Sequence, residues 1–339
     1  MLFSWERRRR VAMGSERLEY VDILKGIGIL LVIFSHSGAE NEETMVYVGG
    51  VFIPLFFVVS GYTYKHRDQP FLMLMKKKAR RLLLPYFFFS TILLLLYKRF
   101  SLLDVIGVFY SRYCLYPYNN TDNLYLMGGG NPPLWFLTSM LTAFIPFYFL
   151  MKYPSRTKWL LLFYTLFTFL CQYLPILLPW SIDTACLQAS FIYIGVIFRQ
   201  DFRLLNRPSY LYLLVFIAFV IVCTFNGVLN VSVREYGSSF LLYFLTGVLG
   251  TLFLLWLSQK LESSFTGSLL AGIGRHSLVI FCVQMFLLRI MHQLFHDFMH
   301  FPTEGLLFYG VSILKVLLVA FMGMFISKGM NRYMPWLFR

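Results

Sequence analysis

Apolar runs of bilayer-spanning length recur along this chain from about residue 20 to residue 326, separated by mostly short links. Crossing a hydrocarbon core takes about 20 apolar helical residues, and no water is present there to satisfy unpaired backbone groups, so such runs fold as helices. A length of about 17 to 25 residues per run predicts ten spans, over 20–38, 46–64, 82–97, 134–151, 157–175, 184–199, 209–226, 237–258, 268–290 and 305–326. The sixth is short and interrupted by Gly195. The fold class is all-α, a polytopic integral membrane protein with about ten transmembrane helices. With 58% hydrophobic residues and a mean hydropathy of +0.66, an ordinary soluble domain is excluded.

The net charge of +14 would suggest nucleic acid in a soluble protein, but the basic residues fall mainly in the links, where membrane topology explains them. No nucleic-acid partner is expected. With the N-terminus in the cytoplasm, 23 of the Lys and Arg residues lie on the cytoplasmic side and four, Lys98, Arg99, Arg112 and Arg234, on the other. Lys25, Arg289 and Lys315 remain inside or at the edges of spans. Both termini are then cytoplasmic, and residues 1–19 form a basic segment, 20–326 one transmembrane domain, and 327–339 a tail. Arg7 to Arg10 ahead of the first run imitate a secretory signal; without a small-residue cleavage pattern, the segment reads as a retained signal-anchor.

Cys114, Cys171, Cys186, Cys223 and Cys282 are scattered without a Cys-x-x-Cys pair, as packing residues are. The long outer link, 98–133, holds "YPYNNTDNLYLMGGGNPP"; it reads equally as a lid or sugar-binding loop and as an irregular connector. No internal repeat is visible, which weighs against transporter folds built from inverted repeats.

Ionisable groups inside spans are costly unless paired or facing a polar cavity. Lys25 and His36 stand eleven residues apart, which on a continuous helix places them on one face about 16 Å apart along the axis. One reading is a strip with a cation near the cytoplasm and a titratable base near the outer side. The other pairs Lys25 with Asp22 and leaves His36 at the interface. Ser60 and Gly61, before Tyr62, mark either close helix packing or approach of a ligand. The run "KKKARR", with Lys77, Lys78, Arg80 and Arg81, serves topology, or binds a phosphorylated cofactor through Lys ammonium groups and Arg forks. Trp135 belongs to an interfacial belt or stacks on a sugar. His292, His296 and His300 recur at every fourth position with Asp297 beside them, as in a metal-binding stripe or an interfacial helix; no His-Glu-x-x-His pattern accompanies them, and no metal is expected.

Together these segments resemble acyltransferase family 3. "DILKGIGILLVIFSH" is similar to the family's first-helix signature, a basic residue and then His, with Lys25 where many members carry Arg. "PLFFVVSGY" resembles its second-helix motif, "RRLLLPY" its basic segment, "PLWFL" its Trp-Phe-Leu motif and "GIGRHSLVIFCVQMFLL" its late Gly-x-x-Ser segment. The Lys-Gly form is similar to the fucose 4-O-acetylase-like branch. Gln284 stands where the late helix commonly has His, and Lys77 with Arg80 or Lys78 with Arg81 replace the commoner Arg-x-x-Arg.

The resemblance implies transfer of an acyl group, most often acetyl, from cytoplasmic acyl-CoA as co-substrate to a hydroxyl of a cell-surface or lipid-linked glycan, in the cytoplasmic or inner membrane. No permanently bound cofactor is implied. His36 is the expected general base or transient acyl carrier, and Lys25, Lys77, Lys78, Arg80 and Arg81 are the expected donor site. Asp22, Ser60, Gly61, Tyr62, Trp135 and Gln284 are the expected supporting residues, with Ser60, Tyr62 or an amide near Gly61 as candidate oxyanion donors. The competing class is a glycan or lipid-linked oligosaccharide transporter or flippase, with Lys25 and His36 on its path. Membrane lipid is a partner in either case, and the sequence sets no oligomeric state.

Overall fold

Helices of the expected lengths form where the apolar runs predict them, with four changes that bear on the site. The computed structural model describes residues 18–38, 41–65, 69–117, 123–126, 132–201, 203–301 and 305–338. Arg7 to Arg10, Arg17, Arg67, Arg339 and two stretches of the outer link, 118–122 and 127–131, lie outside the described residues. The helices are α1 (Glu19–Phe34), α2 (Glu42–Tyr62), α3 (Phe71–Leu96), α4 (Leu102–Tyr110), α5 (Trp135–Lys152) and α6 (Thr157–Cys171). They continue as α7 (Ala185–Gln200), α8 (Ser209–Asn226), α9 (Phe240–Leu261), α10 (Phe265–Arg275), α11 (Ser277–His292) and α12 (Gly305–Tyr333). Among the described residues, eight helices are long and apolar enough to cross a membrane, which makes this a polytopic membrane protein. The expected first and fifth spans are helices of 16 and 15 residues, α1 and α6, and are not among these eight.

The first change is that α1 ends at Phe34, two residues before His36. Ser35 to Ser37 leave it through a turn, with the His36 amide donating to Ile33 O at 3.2 Å and the Ser37 amide to Phe34 O at 3.0 Å. Second, the basic run belongs to α3, which starts at Phe71 and not near residue 82; Lys and Arg are good helix formers, so nothing there stops the helix short of Pro70. Third, the expected span 268–290 is broken at His276 between α10 and α11. Poor helix formers, Gly272 and Gly274, precede the break, and His276 Nδ1 meets Ser327 Oγ on α12 at 2.8 Å. Fourth, α12 runs past the expected boundary at 326 to Tyr333, and the tail beyond it buries Leu337 completely.

The central helix is α1, packed upon by α2, α9, α10, α11 and α12. Its crossing with α10 is backbone against backbone: a Cβ on Gly26 would stand 2.1 Å from Leu270 O, and one on Gly274 1.8 Å from Asp22 O. The crossing of α2 and α7 repeats the device, since a Cβ on Gly61 would meet Ile192 O at 1.7 Å and one on Gly195 would meet Val58 O at 1.9 Å. Small residues in membrane helices permit this proximity. Gly195, which seemed to interrupt the sixth span, therefore locks it in place. Outward faces are apolar, as with Leu162, Leu166 and Leu170 on α6 and Leu213, Ile217 and Ile221 on α8, which suits contact with lipid.

Beyond the end of α1 the connecting segments are tied by a buried ionic knot. Arg112 and Arg234 both donate to Asp183, and all three are buried. Arg112 also donates to Leu178 O at 2.9 Å and Ser232 O at 3.0 Å; Arg234 donates to Ile176 O at 3.0 Å and to Leu174 O. Satisfied donors on every side are what allow such charges to be buried. Arg112 and Arg234 thus join three stretches of chain, where the sequence showed only two charges on the outer side.

Candidate active site

Two cavities open at opposite ends of α1. The first, about 420 Å³, holds His36 and is lined also by Ser35, Trp135, Tyr113, Asn230 and Ser232. The second, about 450 Å³, is lined by Lys25, Ser60, Lys65, Lys77, Lys78 and Arg81. The side chains of Phe56, Phe136 and Phe281 line both. These rings come from α2, α5 and α11 and form a partition. Phe136 is its centre, with ring centroids 6.0 Å from Phe56 and 5.5 Å from Phe281, both inclined.

The turn after α1 fixes the state of His36. Its Nδ1 lies 2.7 Å from Val32 O, and because a carbonyl only accepts, Nδ1 carries the proton. Ser35 Oγ donates to the same carbonyl at 2.9 Å and lies 3.1 Å from Nδ1. A neutral ring so held has its lone pair on Nε2, the nitrogen a general base needs. The next residue is gripped from another helix: Lys315, on α12 and 1% exposed, donates to Ser37 O at 3.2 Å. Its ammonium also lies 3.2 Å from His296 Nε2, whose Nδ1 is 3.1 Å from Phe301 O. By the same logic His296 is protonated on Nδ1 and accepts from Lys315.

This arrangement gives His296, one of the three tail histidines, a partner at each ring nitrogen. The rings of His292 and His296 are 4.7 Å apart, but among the described residues no three His, Cys, Asp or Glu side chains converge as ligands would. The sequence marks His296 by the every-fourth-position histidine stripe, and nothing local joins it to Lys315. In the sequence Lys315 shows only as an ionisable residue inside a span.

At the other end Lys25 donates to Asp22 Oδ1 at 2.9 Å, and Arg275 Nε lies 3.7 Å from Asp22 Oδ2. The pairing alternative for Lys25 is therefore correct, and the continuous strip is not. Helix α1 ends before His36, so Lys25 and His36 face different cavities across the partition. The basic run also divides by helical phase. Lys77, Lys78 and Arg81 line the cavity, and Lys78 Nζ sits 3.7 Å above the Phe144 ring. Arg80 is exposed and outside the lining. Lys65 and Gln69 line it too; they lie in the link before α3, where sequence reads only topology.

The supporting residues separate likewise. Ser60 lines the basic cavity and donates to Phe56 O at 2.9 Å. Gly61 is consumed by the α2 and α7 crossing, and its amide lies within a helix. Tyr62 is buried away from both cavities, its hydroxyl 2.8 Å from that of Tyr20. Trp135 lines the His36 cavity at the start of α5. Gln284 is fully buried, lines neither cavity, and its side-chain amide makes no hydrogen bond among the described residues.

No curated protein matches the chain. Both cavities and every residue that lines them fall inside residues 18–327, the stretch matched by the acyltransferase domain of acyltransferase family 3, and the chain belongs to that family of membrane acyltransferases.

Proposed function

We propose that the chain moves an acyl group, acetyl in its ordinary reaction, from acyl-CoA in the basic cavity to a hydroxyl of a cell-surface or lipid-linked glycan in the His36 cavity. The observation that carries this reading is the pair of cavities back to back, cationic on one side and imidazole-bearing on the other, divided by three phenylalanine rings. Lys25, Lys65, Lys77, Lys78 and Arg81 match the phosphates of CoA, since ammonium and guanidinium groups make charge-assisted hydrogen bonds to phosphate. Asp22 holds Lys25 at the rim. Trp135 offers a ring face, and Asn230 and Ser232 offer polar groups, to a sugar.

The acceptor hydroxyl gives its proton to His36 Nε2 as its oxygen attacks the thioester carbonyl. The new C–O bond forms, the C–S bond breaks, and the CoA thiolate leaves and takes up a proton. A transient acyl group on Nε2 divides the same transfer into two steps. Ser60 is the side-chain hydroxyl of the expected oxyanion set that lines the donor cavity, whereas the Tyr62 hydroxyl is engaged with Tyr20. With Gln284 buried off the cavities, His36 works without a second acid-base group at that position. The Lys25-Gly26 form of the first motif supports the fucose 4-O-acetylase-like branch, and the cationic cavity supports a cytoplasmic face for donor entry and an inner-membrane location.

His36→Ala is the test. Acetyl incorporated into surface glycan, read by mass spectrometry, is expected to vanish while radiolabelled acetyl-CoA still binds the purified variant. Continued acetylation would remove His36 from the reaction, and a wild-type protein that binds no acyl-CoA would defeat the proposal as a whole.

A further inference from the structure

We infer that the partition formed by Phe56, Phe136 and Phe281 selects the length of the acyl group, with Phe136 as its principal determinant; this rests on the donor assignment above. The three rings are the side chains common to both cavities. A thioester entering from the cationic side meets Nε2 of His36 only by presenting its carbonyl at their edges. Phe136 is wedged on several sides: besides Phe56 and Phe281 it meets Phe57 at 5.2 Å and Trp135 at 6.4 Å between centroids. Rings held edge-on at such distances are in contact. On this inference the donor cavity ends at these rings, with room for a two-carbon acyl group and not for a longer chain.

An apolar cavity without a wall predicts the opposite trend, because each added methylene then gains affinity by leaving water. The sign of the chain-length dependence thus separates the two. Beyond the partition the His36 cavity is lined by Val32, Phe52, Ile53 and Leu229, so a breached wall opens onto apolar surface where a longer chain is welcome. Phe136→Ala is therefore expected to reverse the trend.

The experiment displaces radiolabelled acetyl-CoA from purified protein with unlabelled acetyl-, butyryl- and hexanoyl-CoA, which needs no knowledge of the acceptor. Wild-type protein is expected to bind hexanoyl-CoA at least tenfold more weakly than acetyl-CoA, and Phe136→Ala to bind it as tightly or more tightly. Phe56→Ala, on a different helix, carries the same expectation, so loss of fold in one variant leaves the other decisive. Phe136→Leu, which keeps most of the bulk, is expected to stay near wild type. Tighter binding of hexanoyl-CoA by the wild type, or an unchanged ratio in folded Ala variants, would overturn the inference. Failure of every acyl-CoA to bind the wild type would strike the donor assignment instead.

Discussion

Lys315→Met examines how His36 is held in place. The ammonium of Lys315 is buried and donates to Ser37 O and His296 Nε2, each at 3.2 Å. Hydrogen bonds from a charged donor contribute about 1.5–3 kcal/mol each, and burying the ammonium offsets part of that. Methionine nearly matches the volume, so little cavity term is added, and a net loss of about 1–3 kcal/mol follows. The functional effect is expected to be larger. Ser37 adjoins His36, and misplacing a reacting group by about 1 Å costs roughly 10²-fold in rate. The proposed donor site lies at the other end of α1, and its binding is expected to be unchanged. Incorporation of radiolabelled acetyl in isolated membranes, acetyl-CoA affinity and the thermal midpoint in detergent make the three readouts. Wild-type incorporation in Lys315→Met would refute the positioning argument, and a parallel loss of donor affinity would show general unfolding instead. Lys315→Arg, which keeps a charged donor, is expected to retain part of the rate.

Replacing Lys78 and Arg81 together with Gln is expected to weaken acetyl-CoA binding at least tenfold, whereas Arg80→Gln leaves it unchanged; equal losses in equilibrium displacement would contradict the division by helical phase. Arg112→Met leaves Asp183 with one guanidinium partner and frees Ser232 O, and breaking a buried ion pair in this way costs about 3–5 kcal/mol. Its thermal midpoint should fall, and the proposed acetylation of glycan should fall with it, because Ser232 lines the His36 cavity.

Hydrophobic length alone predicts most of the helices, and the pattern of ionisable residues singles out His36 and the cationic run as candidates, since each is a local property of a short stretch. What local pattern misses is where chain segments distant in sequence meet. Nothing within "DILKGIGILLVIFSHSG" tells that α1 stops at Phe34; helical geometry, extrapolated two residues too far, made one strip of two separate sites. Lys315 finds Ser37 across 278 positions, and Arg112 finds Ser232 across 120. Gly61 reads in the sequence as either close packing or a ligand contact, and Gly195 as a flaw, until the crossing of α2 with α7 shows each leaving room for the other's helix. The partition is the clearest case, because Phe56, Phe136 and Phe281 are ordinary among 37 phenylalanines and differ from the rest only in sharing two cavities.

The shortness of α1 has an electrical meaning. Its 16 residues span about 24 Å, less than the roughly 30 Å of a hydrocarbon core, and a cavity enters at each end. On the proposed reading, in which each cavity opens to its own side of the membrane, water and ions carry the bulk potential inward and the voltage falls mainly across the layer of three rings. A phosphate group forced through that layer would work against most of the potential, about 2.3 kcal/mol per charge for each 100 mV. An acyl carbonyl carries no net charge through it. The proposed reaction passes only the neutral part of its donor across the field and leaves the anionic remainder where it entered.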